Sequence, residues 1–350
     1  MSLALVTIAL NEAACIQRML QSVEGIVDEI IVVDTGSTDE TVEIARAVGA
    51  SVSHYAWDDN FSNARNFALT LTKCPWRLIL DADEWFLSGA EVLSEIKQRA
   101  PDFVGQLEIV SSFTDLDYPG EKFESRDRVS RLLPKGVSYV GEIHEQPRHQ
   151  LSVVSIPVVL AHDGYEPHNL SRKGNRNLLL LQQLFERKSL DSYLALKYVK
   201  ELKRFSRFQE ASFVLCDIIR SLHAKNTTLS WREDVICLAL EIFSETREFS
   251  AGLELIETEA EGLSTSVDFW FCVGVFSFRI AESIPSTARE ALSRMESAFS
   301  YCLELGASGK KSRLVCGRES WLAERNLAVY RSASTRVQSE SAGTERIRVE

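Results

Sequence analysis

The chain has 350 residues, 45% of them hydrophobic, and a formal net charge of -11, which allows two domains with their own cores. The charge is uneven: residues 1–170 hold 13 Lys and Arg against 26 Asp and Glu, and residues 171–350 hold 26 against 24. A front half that acidic argues against a nucleic-acid binder, which needs clustered basic charge, and no apolar run reaches the length of a membrane span.

The first apolar run, Leu3–Leu10, reads as a strand, and it lacks the charged flank of a secretory signal. Asn11 stands where a helix N-cap is expected, with Ile16, Met19, Leu20 and Val23 at helical spacing behind it. Glu29–Val33 is a second strand. The stretch DTGSTDET then turns the chain, and Ser37-x-x-Glu40 has the form of a capping box opening a helix through about Val48. Val52–Tyr55 is a third strand, NFSNARNFALTL a helix, and Trp76–Leu80 a fourth strand. Alternation of this kind predicts an α/β fold with a parallel sheet covered on both faces. Ligands of such sheets bind at the carboxyl ends of the strands. Here those ends carry Asn11 and Glu12, Asp34 and Thr35, and Asp81 and Asp83, so the expected site lies on one sheet edge.

From about residue 171 the strand-like runs vanish and helical periodicity dominates to about 330. FQEASFVLCDII, FSAGLELIETE and MESAFSYCLEL each place an alanine (Ala211, Ala251 and Ala298) at the opening of a hydrophobic run. Small residues let paired helices approach closely, so the pattern predicts a divergent array of helical pairs. Such an array offers a concave surface to a peptide or protein, or a homodimer interface. Residues 331–350 are polar and read as a disordered tail. The expected domains are therefore 1–170, 171–330 and the tail. Seven cysteines, 15, 74, 216, 237, 272, 302 and 316, form no C-x-x-C, which fits reduced thiols in a cytoplasm.

The stretch RLILDADEWF drives an apolar strand into Asp81, Asp83 and Glu84. Like charges about 4 Å apart repel by roughly 4 kcal/mol at an effective dielectric near 20, so something positive should offset them. A D-x-D at a strand end directs both side chains to one point, and hard oxygen ligands suit Mg²⁺ or Mn²⁺ carrying a substrate diphosphate. A surface loop with spare acids is the bland alternative.

Four stretches in order, TIALNEAACIQRMLQSV, EIIVVDTGSTDETVEIARAVGA, FSNARNFAL and WRLILDADEW, resemble the family-2 glycosyltransferases of GT-A fold across about residues 1–100. RLLPKGVSYVGEIHEQP and VLAHDGY continue the likeness more loosely. They resemble the branch with tetratricopeptide-like helical repeats after the catalytic domain, to which the bacteriocin S-glycosyltransferases are similar. The resemblance implies a nucleotide-diphospho-sugar fold followed by an all-α repeat domain. It assigns the nucleotide of a UDP-sugar to Thr7, Leu10, Asn11 and Glu12, with Asp34 and Thr35 at uracil or ribose. Arg65 would reach uracil or diphosphate. Asp81 and Ala82 would line the donor, and Asp83 with His162 would hold Mn²⁺ or Mg²⁺. Tyr165 would close over the donor or pack. Inverting transfer needs a base for the acceptor, and the stretch GEIHEQP supplies Glu145, then Glu142, then His144, unless one of the acids pairs with Arg131 or Arg148. The expected function is metal-dependent transfer of a sugar to a peptide or protein. Transfer to a lipopolysaccharide core or other lipid-linked glycan is the alternative, for which Lys197, Lys200, Lys203, Arg204 and Arg207 form a candidate basic patch. A non-catalytic helical scaffold is the third.

Overall fold

The computed structural model describes residues 1–114, 122–163, 175–225 and 231–328. Tyr165, the 331–350 tail and the expected boundary at 170 lie outside them. The chain divides into two compact units, Met1–Leu180 and Leu181–Glu350.

In the front unit the strands are β1 (Leu3–Ala9), β2 (Glu29–Asp34), β3 (Ser51–His54), β4 (Trp76–Ile79), β5 (Glu84–Ser88), β6 (Phe103–Thr114), β7 (Lys122–Pro134), β8 (Ser138–Val140), β9 (Gln146–Arg148) and β10 (Ser152–His162). One eight-stranded sheet runs in the order β3-β2-β1-β4-β7-β6-β10-β5, and β8 pairs with β9 apart from it. Strands β1 to β4 are parallel, as the strand–helix alternation predicts. The sheet as a whole is mixed, because β7 is antiparallel to both β4 and β6, and β5 is antiparallel to β10. Antiparallel neighbours need no helical crossover, which is why the alternation stops after β4.

Both faces of the sheet are covered. Leu3 and Leu5 of β1 join one core with Ile16, Met19 and Leu20 of α1 (Ile16–Ser22). Ala4 and Val6 join the other with Ala68 of α3 (Phe61–Thr70). This is the period-two split expected of a strand buried on both sides.

Two helix starts differ from the sequence expectation. Asn11 does not cap α1, which begins at Ile16 behind Cys15; it takes a left-handed backbone, φ 56°, in the preceding turn. The helix α2 (Thr41–Ala47) is not opened by a Ser37–Glu40 box. Asp39 Oδ1 accepts from the Thr41 amide at 3.1 Å instead, while Ser37 is occupied with Asn11. The start of α3 is as expected for a good cap: Asn60 Oδ1 accepts from the Asn63 amide at 3.0 Å.

After the short helix α4 (Val92–Ile96), the helices are α5 (Arg176–Glu186), α6 (Ser192–Arg204), α7 (Phe208–Lys225), α8 (Arg232–Thr246), α9 (Phe249–Glu259), α10 (Val267–Ser283) and α11 (Ala288–Ala307). Ala211 and Ala298 are buried, but Ala251 is exposed. The close approach in α9 is made one residue later, where a Cβ on Gly252 would fall inside the Phe276 ring of α10. Phe269, Phe271, Phe276 and Phe299 are core residues. Three cations of the candidate basic patch pair with acids of the helices: Lys203 with Glu241, Arg204 with Glu201, and Arg207 with Glu210. Among the described residues no helix is long and apolar enough to cross a membrane.

Candidate active site at the carboxyl edge of the sheet

The ends of β1 and β2 are tied together. Thr35 donates to the Ala9 carbonyl through its amide at 2.9 Å and its hydroxyl at 3.1 Å. The Asn11 amide donates to Ser37 Oγ, and Asn11 Oδ1 accepts from the Thr38 amide, both at 2.8 Å. The Glu12 amide donates to Thr41 Oγ1 at 2.7 Å. Thr7 is fully buried within β1, and Leu10 is half-buried at its end.

Asp34, the last residue of β2, is buried and accepts from the Ser37 amide at 3.0 Å and the Gly36 amide at 3.2 Å, with His54 Nδ1 3.0 Å away. Burial opposes its charge, but the bonds from Ser37, His54 and Gly36 outweigh it and hold the carboxyl below its ordinary value.

The carboxylates after β4 are compensated by the protein itself. Because β4 ends at Ile79, strand alternation no longer governs Asp81 and Asp83, and they turn to different partners. Asp81 lies between two arginines, accepting from Arg65 Nη2 at 2.6 Å and Arg131 Nη2 at 2.8 Å. Burial works against its ionisation, but Arg131 and Arg65 outweigh it and hold it well below the usual carboxylate range. Arg131, on β7, also pairs with Glu84, and Arg65, on α3, also pairs with Glu145. Burial, against the pull of Arg131, raises Glu84 above its ordinary value. Ala82 is buried between the two aspartates. Asp83 faces the ring of His162, the last residue of β10, with Oδ2 3.4 Å from Nε2.

Glu142, His144 and Glu145 lie on the turn between β8 and β9, where His144 adopts φ 51°. The Glu142 carbonyl accepts from the Phe61 amide at 2.8 Å, and Ser62 Oγ donates to the Gly141 carbonyl, so this turn is fastened to the start of the Arg65 helix. Glu145 pairs with Arg65, and Arg131 goes to Asp81 and Glu84.

The structure thus brings Arg65, Asp81 and Glu145 into one linked group and Asp83 and His162 into another beside it. Sequence reading did not single out Arg131, Tyr139 or Ser111 as site residues. Tyr139 packs under Arg65, 5.5 Å from ring centroid to guanidinium carbon, and burial pushes its phenol up to about 12. Arg65 Nη1, Arg131 Nε and the Tyr139 hydroxyl are buried with no hydrogen-bond partner among the described residues. The one signal in the sequence was the run of Asp81, Asp83 and Glu84, which called for something positive to offset it.

Residues 4–150 match the sequence model of glycosyl transferase family 2. The matched residues all lie in the front unit. The chain is 26% identical over 264 residues to the SPbeta prophage-derived glycosyltransferase SunS of Bacillus subtilis (strain 168), covering 72% of this chain and 62% of that one. It is 31% identical over 200 residues to a TPR repeat-containing protein of Synechococcus elongatus, covering 55% of this chain and 48% of that one. The chain therefore spans less than two thirds of the length of these curated relatives. Among solved structures, the glucosyl-3-phosphoglycerate synthase of Mycobacterium tuberculosis with Mn²⁺, UDP and glucosyl-3-phosphoglycerate is 25% identical, covering 32% of this chain and 44% of that one. Its TM-score is 0.26.

Proposed function

We propose that this chain is a metal-dependent inverting glycosyltransferase that moves a sugar from a UDP-sugar to a peptide or protein. The observation that carries the reading is the Asp83–His162 pair at the sheet's carboxyl edge, 3.4 Å between Oδ2 and Nε2, beside an aspartate clamped by two arginines. One carboxylate oxygen and one imidazole nitrogen form a donor set that Mn²⁺ accepts, and Mg²⁺ accepts less readily. Among the described residues no group of three or more His, Cys, Asp or Glu could hold a metal ion. The pair would therefore supply two ligands, with water and phosphate oxygens taking the other positions. The ion supplies charge compensation for the departing diphosphate.

The chain's own residues divide the remaining work. Asp34, kept ionised by the turn amides, accepts hydrogen bonds from uracil or ribose, with Thr7, Leu10, Asn11, Glu12 and Thr35 around the base. Arg65 supplies the positive charge for the diphosphate, while Asp81 and Ala82 line the ribose side. Glu145 is our assignment for the base that takes the acceptor's proton, with Glu142 and His144 on the same turn as the alternatives. The helical unit supplies the acceptor surface.

Release of UDP from UDP-glucose and UDP-N-acetylglucosamine, measured with Mn²⁺ and then with EDTA, tests the reading. Metal-dependent release supports it. Equal release under both conditions, or none from any nucleotide sugar, overturns it. Converting Glu145, Glu142 and His144 singly to alanine identifies the base as the residue whose loss abolishes transfer.

A further inference from the structure

His162 leaves β10 with a polar group at each ring nitrogen. Nε2 faces Asp83 Oδ2 at 3.4 Å, and Nδ1 lies 3.0 Å from Ser111 Oγ. Ser111 sits on β6, directly across the parallel register from His162, and only 5% of it is exposed. The hydroxyl cannot swing out to solvent, and the sheet sets its distance to the ring.

A neutral imidazole carries one proton, on one nitrogen or the other. Facing a bare carboxylate, the proton belongs on Nε2, where it donates to Asp83, and Nδ1 must then accept. Facing a cation, Nε2 must offer its lone pair, so the proton belongs on Nδ1, and the group there must accept it. For the neutral ring the two states hold the same single proton and differ only in which nitrogen bears it. Its partner must nonetheless change from donor to acceptor. A backbone carbonyl serves only the second state and a backbone amide only the first. A hydroxyl serves both by rotating about its Cβ–Oγ bond.

We propose that Ser111 is a positioning residue that lets His162 switch tautomer, so that one ring hydrogen-bonds Asp83 when no cation is bound and ligates a divalent cation beside Asp83 when one is. The inference rests on the reading of Asp83 and His162 as the metal pair. It predicts that the site forms without moving either strand, because only a hydroxyl rotor and a ring proton rearrange.

The test is a Mn²⁺ titration in the presence of UDP, followed by the electron paramagnetic resonance signal of free Mn²⁺, on the full chain. Ser111→Ala should bind Mn²⁺ roughly 10- to 100-fold more weakly than the wild type, the usual effect of losing an outer-shell partner. Ser111→Thr, which keeps the hydroxyl, should stay within about threefold. Nitrogen-15 spectra of the His162 ring should show the proton on Nε2 in the metal-free protein and on Nδ1 with Mg²⁺ and UDP. Undiminished Mn²⁺ binding by Ser111→Ala, with binding lost in Asp83→Ala, would overturn the role of Ser111 and leave the metal pair standing. Equal losses in Ser111→Ala and Ser111→Thr would also overturn it. A wild-type chain that takes no Mn²⁺ would bring down the metal pair and this proposal together. If circular dichroism shows Ser111→Ala unfolded, Ser111→Cys, similar in volume but a poor hydrogen-bond partner, replaces it with the same expected loss.

Discussion

Each unit of this chain pairs an aspartate with an arginine, and the two arrangements differ in what else they satisfy. In the front unit Asp81 stands between Arg65 and Arg131, and 37% of its side chain remains open to solvent. In the helical unit Asp268 pairs with Arg318 at 2.9 Å and also takes the Ser312 hydroxyl and the amides of Arg313 and Leu314, with 2% of its side chain open. Asp268 is closed by backbone amides as well as by its arginine, the mark of a structural lock. Asp81 is held only by two long side chains, one from a helix and one from a distant strand, and it faces outward at the strand ends. Buried charge alone therefore does not mark a site; an arginine-clamped acid that is still open does.

The largest effect should come from Asp83→Ala. Loss of a metal ligand forfeits several kcal/mol of charge stabilisation on the leaving diphosphate, so sugar-transfer turnover should fall at least roughly 100-fold, with the melting temperature little changed. Turnover within a few-fold of wild type would remove Asp83 from the site.

The two arginines break the comparison directly. Arg65→Ala takes the arginine from Glu145 and leaves Asp81 with Arg131 alone, and Arg318→Ala takes the arginine from Asp268; each should cost about 3–5 kcal/mol in urea unfolding, since each removes one partner of a largely buried ion pair. Only Arg65→Ala should also abolish UDP binding in the protein that remains folded. Loss of UDP binding in both would erase the distinction between lock and site. Acid sharpens the same point. Asp81, between its two arginines, and Glu259 of the helical unit, paired with Arg232 and His223, both have folded-state pKa values below their ordinary ones. Their contribution is therefore complete above the unfolded-state values, near about pH 4, and is lost as pH falls through the folded ones. Asp81→Asn should flatten the acid limb of the stability curve; an unchanged limb would show that Asp81 is not charged in the fold.

Next in size is Gly252→Ala. An alanine in a helix interior ordinarily gains about 1 kcal/mol over glycine, but here its Cβ would enter the Phe276 ring. Overpacking should win, with a net loss of about 1–3 kcal/mol confined to the helical unit and no change in UDP affinity. The smallest effect is expected from Asn60→Ala, which removes the cap bond to Asn63 and should cost about 1 kcal/mol. Its helix carries Arg65, so KM for the donor should rise slightly while kcat holds.

Much of the front unit was legible because strand and helix periods alternate plainly through Ile79, and the polar residues that end those strands sit where parallel sheets bind ligands. The mixed half was not, since antiparallel pairing of residues 103–134 is chosen by partners far along the chain and leaves no local period of its own. The same distance hid Arg131, which reaches Asp81 across fifty residues. Ser111 carried no signal at all, being one of two adjacent serines in β6, with a role that depends on the register with β10. In the helical unit, small-residue spacing pointed to close packing but chose Ala251, one position short of Gly252. A one-residue error on a helix turns the side chain by about 100°, from the core to the surface.

The most direct test of the central claim is calorimetry of UDP against the full chain, with Mn²⁺ and then with EDTA. The account predicts binding in Mn²⁺ that disappears with EDTA and in Asp83→Ala. UDP binding of equal strength in all three would contradict it, because the carboxylate edge would then be serving the nucleotide without the ion.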